Sequence, residues 1–138
     1  MTGTEPETTG PETVDPEAEF QQLCAELLRN TRLRRHRAAV QAMVEERSVL
    51  SVPAVQRALI VDSRKGRAAR FEGLSGLQYG LGLDEQQRAF LHLVLSMVGI
   101  GITTLASVED LDDHRLPIIL RGILRLAGNE DLAVGRRL

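Results

Sequence analysis

The sequence has no tryptophan and one cysteine, and aromatic residues make up only 3% of its 138 positions. A single cysteine cannot form an internal disulfide, and the three histidines show no HxxxH or HExxH spacing that would suit zinc. We therefore expect no bound metal and no other cofactor. The scarcity of aromatic side chains implies a core of leucine, valine, isoleucine and alanine, a composition that suits packed helices.

The sequence also lacks a long apolar run and a secretory type of amino-terminal segment. Its most apolar stretch, Phe90–Ala106, has no formal charge but is shorter than the roughly 20 residues that cross a bilayer. It contains His92 and is interrupted by Gly99 and Gly101. A membrane span is the less favoured interpretation, and the sequence predicts a cytoplasmic protein with no membrane partner.

Charge is distributed unevenly along the chain, although the formal net charge is only -2. Residues 1–19 carry six acids and no base, whereas residues 20–70 carry eleven bases and four acids. Residues 1–15 bury almost nothing and are predicted to be a disordered acidic tail. The tail either shields the basic segment, meets a separate partner, or is simply solvated, and the sequence favours the last of these.

Two short segments hold most of the basic residues, Arg29–Arg37 and Arg64–Arg70. Sixteen of the seventeen basic residues are arginine, which indicates GC-rich coding and weakens any inference from arginine abundance. Concentrated positive charge is nevertheless typical of a nucleic-acid-binding surface. The candidate contacts to nucleic acid or to a protein partner are Arg29, Arg32, Arg34, Arg35, Arg37, Arg64, Lys65, Arg67 and Arg70.

Two later segments are apolar over an unusually wide arc. The first begins with Asp84 and Gln87 in a capping-box arrangement and has apolar residues over roughly 200° of the helical wheel. The second, His114–Ala127, is apolar over nearly half its circumference and is expected to open at Asp112 or Asp113. Helices this apolar must be covered from at least two sides, so each either lies at the centre of a bundle or meets another chain.

Local signals predict the other elements. Asp15 followed by Pro16 predicts a helix start, and Thr31 is expected to cap a second helix after a break. Pro53 predicts a further helix, with a short strand at residues 59–61 as the alternative. Residues 62–70 are expected to form an exposed loop or frayed helix end, and residues 73–82 either a helix or a leucine-anchored loop.

Other candidate sites have simpler structural explanations. The acidic cluster at residues 109–113 is explained by helix capping rather than by magnesium binding. The strip formed by Glu85, Arg88 and His92 is interpreted as a surface ion-pair ladder rather than an acid–base site. An enzyme is therefore not favoured, although a buried pocket around His92 or His114 would reopen that possibility.

The sequence as a whole predicts an all-α fold, a compact bundle of five or six helices over residues 16–138 as a single domain. The predicted function is a non-enzymatic protein–protein interaction or oligomerisation module, such as a regulatory or adaptor subunit. Its partner is another protein or a second copy, bound through leftover apolar helix surface, with the acidic tail as a tether or a second contact. The alternative is a nucleic-acid-binding regulator that uses the two basic segments.

Overall fold

A computed structural model of the protein describes residues 15–138, so the predicted disorder of the acidic tail concerns residues that lie almost entirely outside the described part. The described chain is mostly helical, as predicted, but it also contains a two-stranded antiparallel hairpin that the all-α prediction missed. The elements are α1 (Pro16–Arg29), α2 (Arg34–Glu46), α3 (Pro53–Leu59), β1 (Ile60–Ser63), β2 (Gly66–Ala69), α4 (Glu85–Met97) and α5 (Arg115–Leu126). Short 3-10 segments occupy Phe71–Leu74 and Leu105–Asp110.

Helix starts follow the sequence signals where a side chain caps the first turn. Asp15 accepts a hydrogen bond from the amide of Glu17 at the start of α1, with Pro16 at the first helical position. Asp84 and Gln87 form the predicted capping box at the start of α4. These two local predictions are confirmed.

The start of α2 differs from the prediction that Thr31 would cap it. The N-cap is Leu33, which makes no side-chain capping bond. The Thr31 hydroxyl instead donates to the carbonyl of Leu27 in the last turn of α1. Thr31 is buried there, so its hydroxyl satisfies an orphan carbonyl of the helix that precedes it rather than an amide of the helix that follows.

The α5 start also lies later than predicted, at Arg115 rather than after Asp112 or Asp113. Asp112 still contributes there, because its Oδ1 accepts the amide of Arg115 at 2.8 Å. This hydrogen bond and the charge of Arg115 lower the pKa of Asp112. Gly128 follows the last turn of α5 with a φ of +71°, the left-handed conformation that stops a helix.

The hairpin replaces the loop or frayed helix expected at residues 62–70. Ile60 pairs with Ala69 and Ser63 with Gly66, and β2 packs against α1. The alternative prediction of a short strand at residues 59–61 is confirmed only for residues 60 and 61, because Leu59 ends α3 and β1 begins at Ile60. The segment from residue 73 to residue 82 is not a helix beyond the 3-10 turn, and Leu74 and Leu81 anchor it in the core.

The bundle centre is built from α2, α4 and α5. Glu46 at the end of α2 contacts Arg115 at the start of α5, and Gln87 in the first turn of α4 donates to Ser48 just after α2. At the other end of the bundle, Arg34 and Arg35 at the start of α2 lie beside Gly128 after α5 and Gly99 after α4. Helix α2 therefore runs antiparallel to both α4 and α5, and residues 98–114 connect the end of α4 to the start of α5. Helix α4 is covered by α2, α5 and this crossover, as its wide apolar arc requires. No helix in the described range 15–138 is long and apolar enough to cross a bilayer.

Candidate functional site

All three arginines of α5 are held by two carboxylates of α2. Arg115 Nε lies 2.9 Å from Glu46, Arg121 Nε lies 3.1 Å from Glu45, and Arg125 Nη2 lies 2.6 Å from the second oxygen of Glu45. The sequence interpretation did not single out these glutamates. The available signal was an adjacent pair of acids at the end of a helix that otherwise carries only basic charge.

The opposite side of α5 is apolar and carries no charge. The residues of this α5 apolar face share an arc of roughly 100° on the helical wheel. Leu120 is 40% exposed and Ile123 is 42% exposed, although both belong to one of the two most apolar helices. In a globular protein this outward arc is normally polar, so its exposure is informative. The face consists of Leu116, Leu120, Ile123, Leu124 and Ala127.

The two basic segments predicted separately from the sequence lie next to each other in the structure. Asn30, between α1 and α2, donates from its side-chain amide to the carbonyls of Lys65 and Arg67 in the hairpin, at 3.2 and 2.9 Å. Arg67 also forms an ion pair with Glu26 of α1 at 2.9 Å. The backbone amide and the guanidinium of Arg67 lower the pKa of the Glu26 carboxyl. These contacts fix the hairpin against the end of α1.

Three arginines in the first turn of α2 contact the carboxyl ends of other helices. A cation at a helix start is opposed by the helix dipole, whereas the same cation is stabilised near a carboxyl end. Arg37 Nη1 donates to the carbonyl of Leu28 in the last turn of α1 and to that of Thr31 just after α1, at 2.6 and 2.9 Å. The guanidinium of Arg34 lies against Gly128 after α5, and that of Arg35 lies against Gly99 after α4.

Eight of the nine predicted basic residues are exposed, and Arg67 is partly buried. Among the described residues, Arg37 and Arg67 make specific structural contacts, so they are poor candidates for contacts to nucleic acid. Arg29, Arg32 and Lys65 line one cleft of about 510 Å³, which we call the basic cleft. Leu33, 67% exposed, lies in the same cleft, and Arg64 and Arg70 are exposed nearby in sequence.

The predicted ion-pair ladder on α4 does not form. Within the described part of the chain, Arg88 donates to the carbonyl of Leu83 and stacks over the ring of Tyr79, with 4.8 Å to its centroid. Tyr79 also meets His92 edge-on, with ring centroids 5.9 Å apart. These side chains line an open cleft of about 290 Å³. Burial, with the charge of Arg88, lowers the pKa of His92.

The described residues contain no group of three histidine, cysteine or acidic side chains placed to hold a metal ion. The only cysteine, Cys24, is buried in α1, and this burial raises the pKa of its thiol. It is therefore a core residue rather than a ready nucleophile.

Comparison with protein-family models, with curated proteins and with solved structures finds no match to this chain. The candidate sites consequently rest on the geometry alone. They are the α5 apolar face and the basic cleft.

Proposed function

We propose that the protein is a non-enzymatic helical interaction module that binds a protein partner through the α5 apolar face. The observation that carries this proposal is the division of α5 into two sides. Arg115, Arg121 and Arg125 are bound by α2, whereas Leu120 and Ile123 face outward without a charge between them. A protein in this role acts as a regulatory or adaptor subunit.

The energetics support binding at this face. Complete burial of a leucine or isoleucine side chain is worth about 1.5–3 kcal/mol, so covering the exposed part of Leu120 or Ile123 is worth about 1 kcal/mol each. Arg121, three residues before Leu124, borders one side of the face and is partly exposed and already paired. This arrangement gives an apolar centre with a polar edge, which is the general anatomy of protein interfaces.

A photo-reactive amino acid at position 120 tests the proposal in the cells that make the protein. We expect irradiation to give a discrete cross-linked product, because a partner that covers the α5 apolar face lies within reach of this side chain. Ile102 is the matched control position, since it is an apolar residue outside α5 and is 99% exposed. The product from position 120 is expected to disappear when Ile123→Glu is added.

A chain that gives no product at position 120 would contradict the proposal. Equal products at positions 120 and 102 would contradict it as well, since they would indicate contacts made by exposure alone. A product at position 120 that persists in the Ile123→Glu variant would place the partner elsewhere.

A second candidate function, binding of nucleic acid, is supported by the meeting of the two basic segments. Asn30 brings Lys65 beside Arg29 and Arg32, so the basic cleft concentrates positive charge from segments some 35 residues apart in the chain. Such a surface binds phosphates with an affinity that falls steeply with salt. Two of the nine predicted contacts, Arg37 and Arg67, already bind groups of the protein itself, which makes this the weaker of the two proposals.

Fluorescence anisotropy with labelled single- and double-stranded oligonucleotides at several salt concentrations tests this second candidate. Neutralising Arg29, Arg32 and Lys65 together is expected to weaken binding. It should also reduce the slope of the logarithm of the binding constant against the logarithm of the salt concentration, by the amount expected for about three lost phosphate contacts. Arg57→Ala is the control, because Arg57 is an exposed arginine of α3 outside the cleft. Absent binding, or binding that Arg57→Ala weakens equally, would remove this candidate.

A further inference from the structure

We infer that the partner covering the α5 apolar face is the α5 of a second copy of this chain, packed antiparallel about a two-fold axis between residues 120 and 123. This inference rests on the proposed function, because it names the partner for the same surface. Three properties of α5 lead to it: the spacing of the apolar residues, the location of the charges and the size of the face.

The spacing favours a helix as the occupant. Leu116, Leu120, Ile123 and Ala127 follow one another at intervals of four, three and four residues. This is the interval pattern of a helix seam that packs its side chains between those of a second helix.

The charges favour a second copy over a partner of opposite charge. Glu45 and Glu46 bind all three α5 arginines on the α2 side, so the α5 apolar face offers no charge that a complementary partner would have to match. In a two-fold interface the same surface of both copies meets, so any charge on it would face a like charge or occur in two contacts. Two uncharged α5 apolar faces can meet without such repulsion. The antiparallel arrangement also places the two helix dipoles in opposition.

Two other exposed apolar residues, Leu33 and Tyr79, lie beside positive charge. Leu33 lies in the basic cleft beside Arg32, and Tyr79 lies against Arg88. Two copies that met through either residue would bring like charges together. The α5 apolar face is thus better suited to contact its own duplicate than these two positions.

The small size of the face limits the affinity of the dimer. Helix α5 has 12 residues and is therefore about 18 Å long. A single helix face of this length is smaller than the roughly 800 Å² per partner of a standard stable interface. We therefore expect a reversible dimer with dissociation in the micromolar range, not a permanent one.

Sedimentation velocity on the full chain, from about 1 to 500 µM, tests the pairing. The mass is expected to rise from 15.2 kDa toward twice that value with concentration. Leu120→Glu and Ile123→Lys are each expected to remain monomeric over this range. An equimolar mixture of the two variants is expected to regain the dimer, because position 120 of one copy faces position 123 of the other. Ile102→Glu, outside α5, is the control that should dimerise like the natural chain.

Cysteine cross-linking tests the direction of the two helices without placing a charge in the face. In the antiparallel arrangement position 116 of one copy lies beside position 127 of the other, and the two positions 116 are far apart. Oxidation of mixed Leu116→Cys and Ala127→Cys chains is expected to give a disulfide-linked dimer, whereas Leu116→Cys alone is expected to give almost none. Far-UV circular dichroism confirms that each variant is folded.

Several outcomes would overturn the inference. A chain that stays at 15.2 kDa at every concentration, or a dimer that survives Leu120→Glu, would exclude pairing through this face. Efficient cross-linking of Leu116→Cys alone would exclude the antiparallel direction. A monomer that nevertheless cross-links from position 120 to a different protein would overturn the self-pairing and leave the proposed function standing. A monomer with no such product would overturn both.

Discussion

Arg115 at the start of α5 binds the buried carboxylate of Glu46 at the end of α2, with 2.9 Å between Nε and Oε2. The other oxygen of Glu46 accepts the backbone amide of Val49 at 2.8 Å, and the Ser48 hydroxyl donates to Glu46 as well. Gln87 of α4 in turn donates to Ser48 at 3.0 Å. One buried network therefore joins the end of α2 to the starts of α4 and α5.

Removing either partner of this ion pair is expected to destabilise the fold strongly. Glu46 is only 3% exposed, so Glu46→Ala leaves the Arg115 guanidinium largely buried beside a cavity, and Arg115→Ala leaves a buried carboxylate. We expect each to lower the free energy of unfolding by about 3–5 kcal/mol. Urea denaturation followed by circular dichroism measures this loss.

The double variant Glu46→Leu with Arg115→Met separates charge burial from packing. Apolar residues of similar size remove both charges together, so the double variant is expected to lose less stability than either alanine variant. A double variant at least as unstable as the single variants, or single variants that cost less than about 1 kcal/mol, would contradict this account.

The sequence predicted the elements that depend on neighbouring residues. Asp15 with Pro16, and Asp84 with Gln87, specify helix starts within three residues, and both were found where expected. The wide apolar arc of α4 correctly predicted a helix covered from several sides. These features are local in the chain, so a single sequence carries enough information for them.

The elements that depend on distant residues were not predicted. The sequence predicted only a short strand at residues 59–61, as an alternative, and the hairpin is held by Glu26 and Asn30 of a segment some 40 residues earlier. Arg34, Arg35 and Arg37 at the start of α2 contact the carboxyl ends of three other helices. Those contacts are not visible in the sequence, where the arginines look like a nucleic-acid-binding run. The sequence alone does not indicate that those ends meet at one place.

The contact between Arg34 and Gly128 predicts that Gly128→Ala costs more than its backbone conformation explains. Gly128 has a φ of +71°, and an added Cβ would lie 2.7 Å from Nη1 of Arg34, so the flexible guanidinium must move away from the end of α5, where its charge is stabilising. Gly76 is the control, because its φ is +78° and nothing lies within 4 Å of its Cβ position. We expect Gly76→Ala to cost about 1 kcal/mol and Gly128→Ala about 1–2 kcal/mol.

In an Arg34→Ala background the cost of Gly128→Ala is expected to fall to that of Gly76→Ala, because the clashing side chain is gone. Thermal and urea unfolding of the four variants measure the difference. Equal costs for Gly76→Ala and Gly128→Ala in the natural background would show that displacing Arg34 from the end of α5 costs no measurable stability.

Gly73→Ala is expected to be more damaging than either. A Cβ at Gly73 would lie 1.9 Å from the carbonyl oxygen of Ala58, which belongs to the backbone of α3 and cannot rotate away. We expect a loss of at least about 2 kcal/mol, since the 3-10 turn must separate from α3. Gly80→Ala, whose Cβ would meet only the Leu77 carbonyl at 3.6 Å, should change stability by less than about 0.5 kcal/mol. Similar losses at both positions would refute the close packing of Gly73 on α3.

Partial burial of His92 predicts that this residue makes stability depend on pH near neutrality. Burial and the charge of Arg88 lower the pKa of His92 below its ordinary value of 6.5 in the folded chain. As the pH falls through 6.5, the unfolded chain therefore takes up a proton before the folded chain does. The contribution of His92 to stability is then complete above pH 6.5 and decreases until the pH reaches the lowered pKa of the folded state.

His92→Gln removes this titration and keeps a polar side chain beside Tyr79. The free energy of unfolding of the variant is therefore expected to change less than that of the natural chain between pH 7.5 and 5.5. An unperturbed histidine titrates in this range. Urea denaturation at several pH values gives the comparison, and His114→Gln, at an exposed histidine, is the control. If the natural chain and His92→Gln lose stability in parallel over this range, His92 is not held in its neutral form by burial. If His114→Gln flattens the dependence instead, the pH-sensitive contact lies at the start of α5 and not on α4.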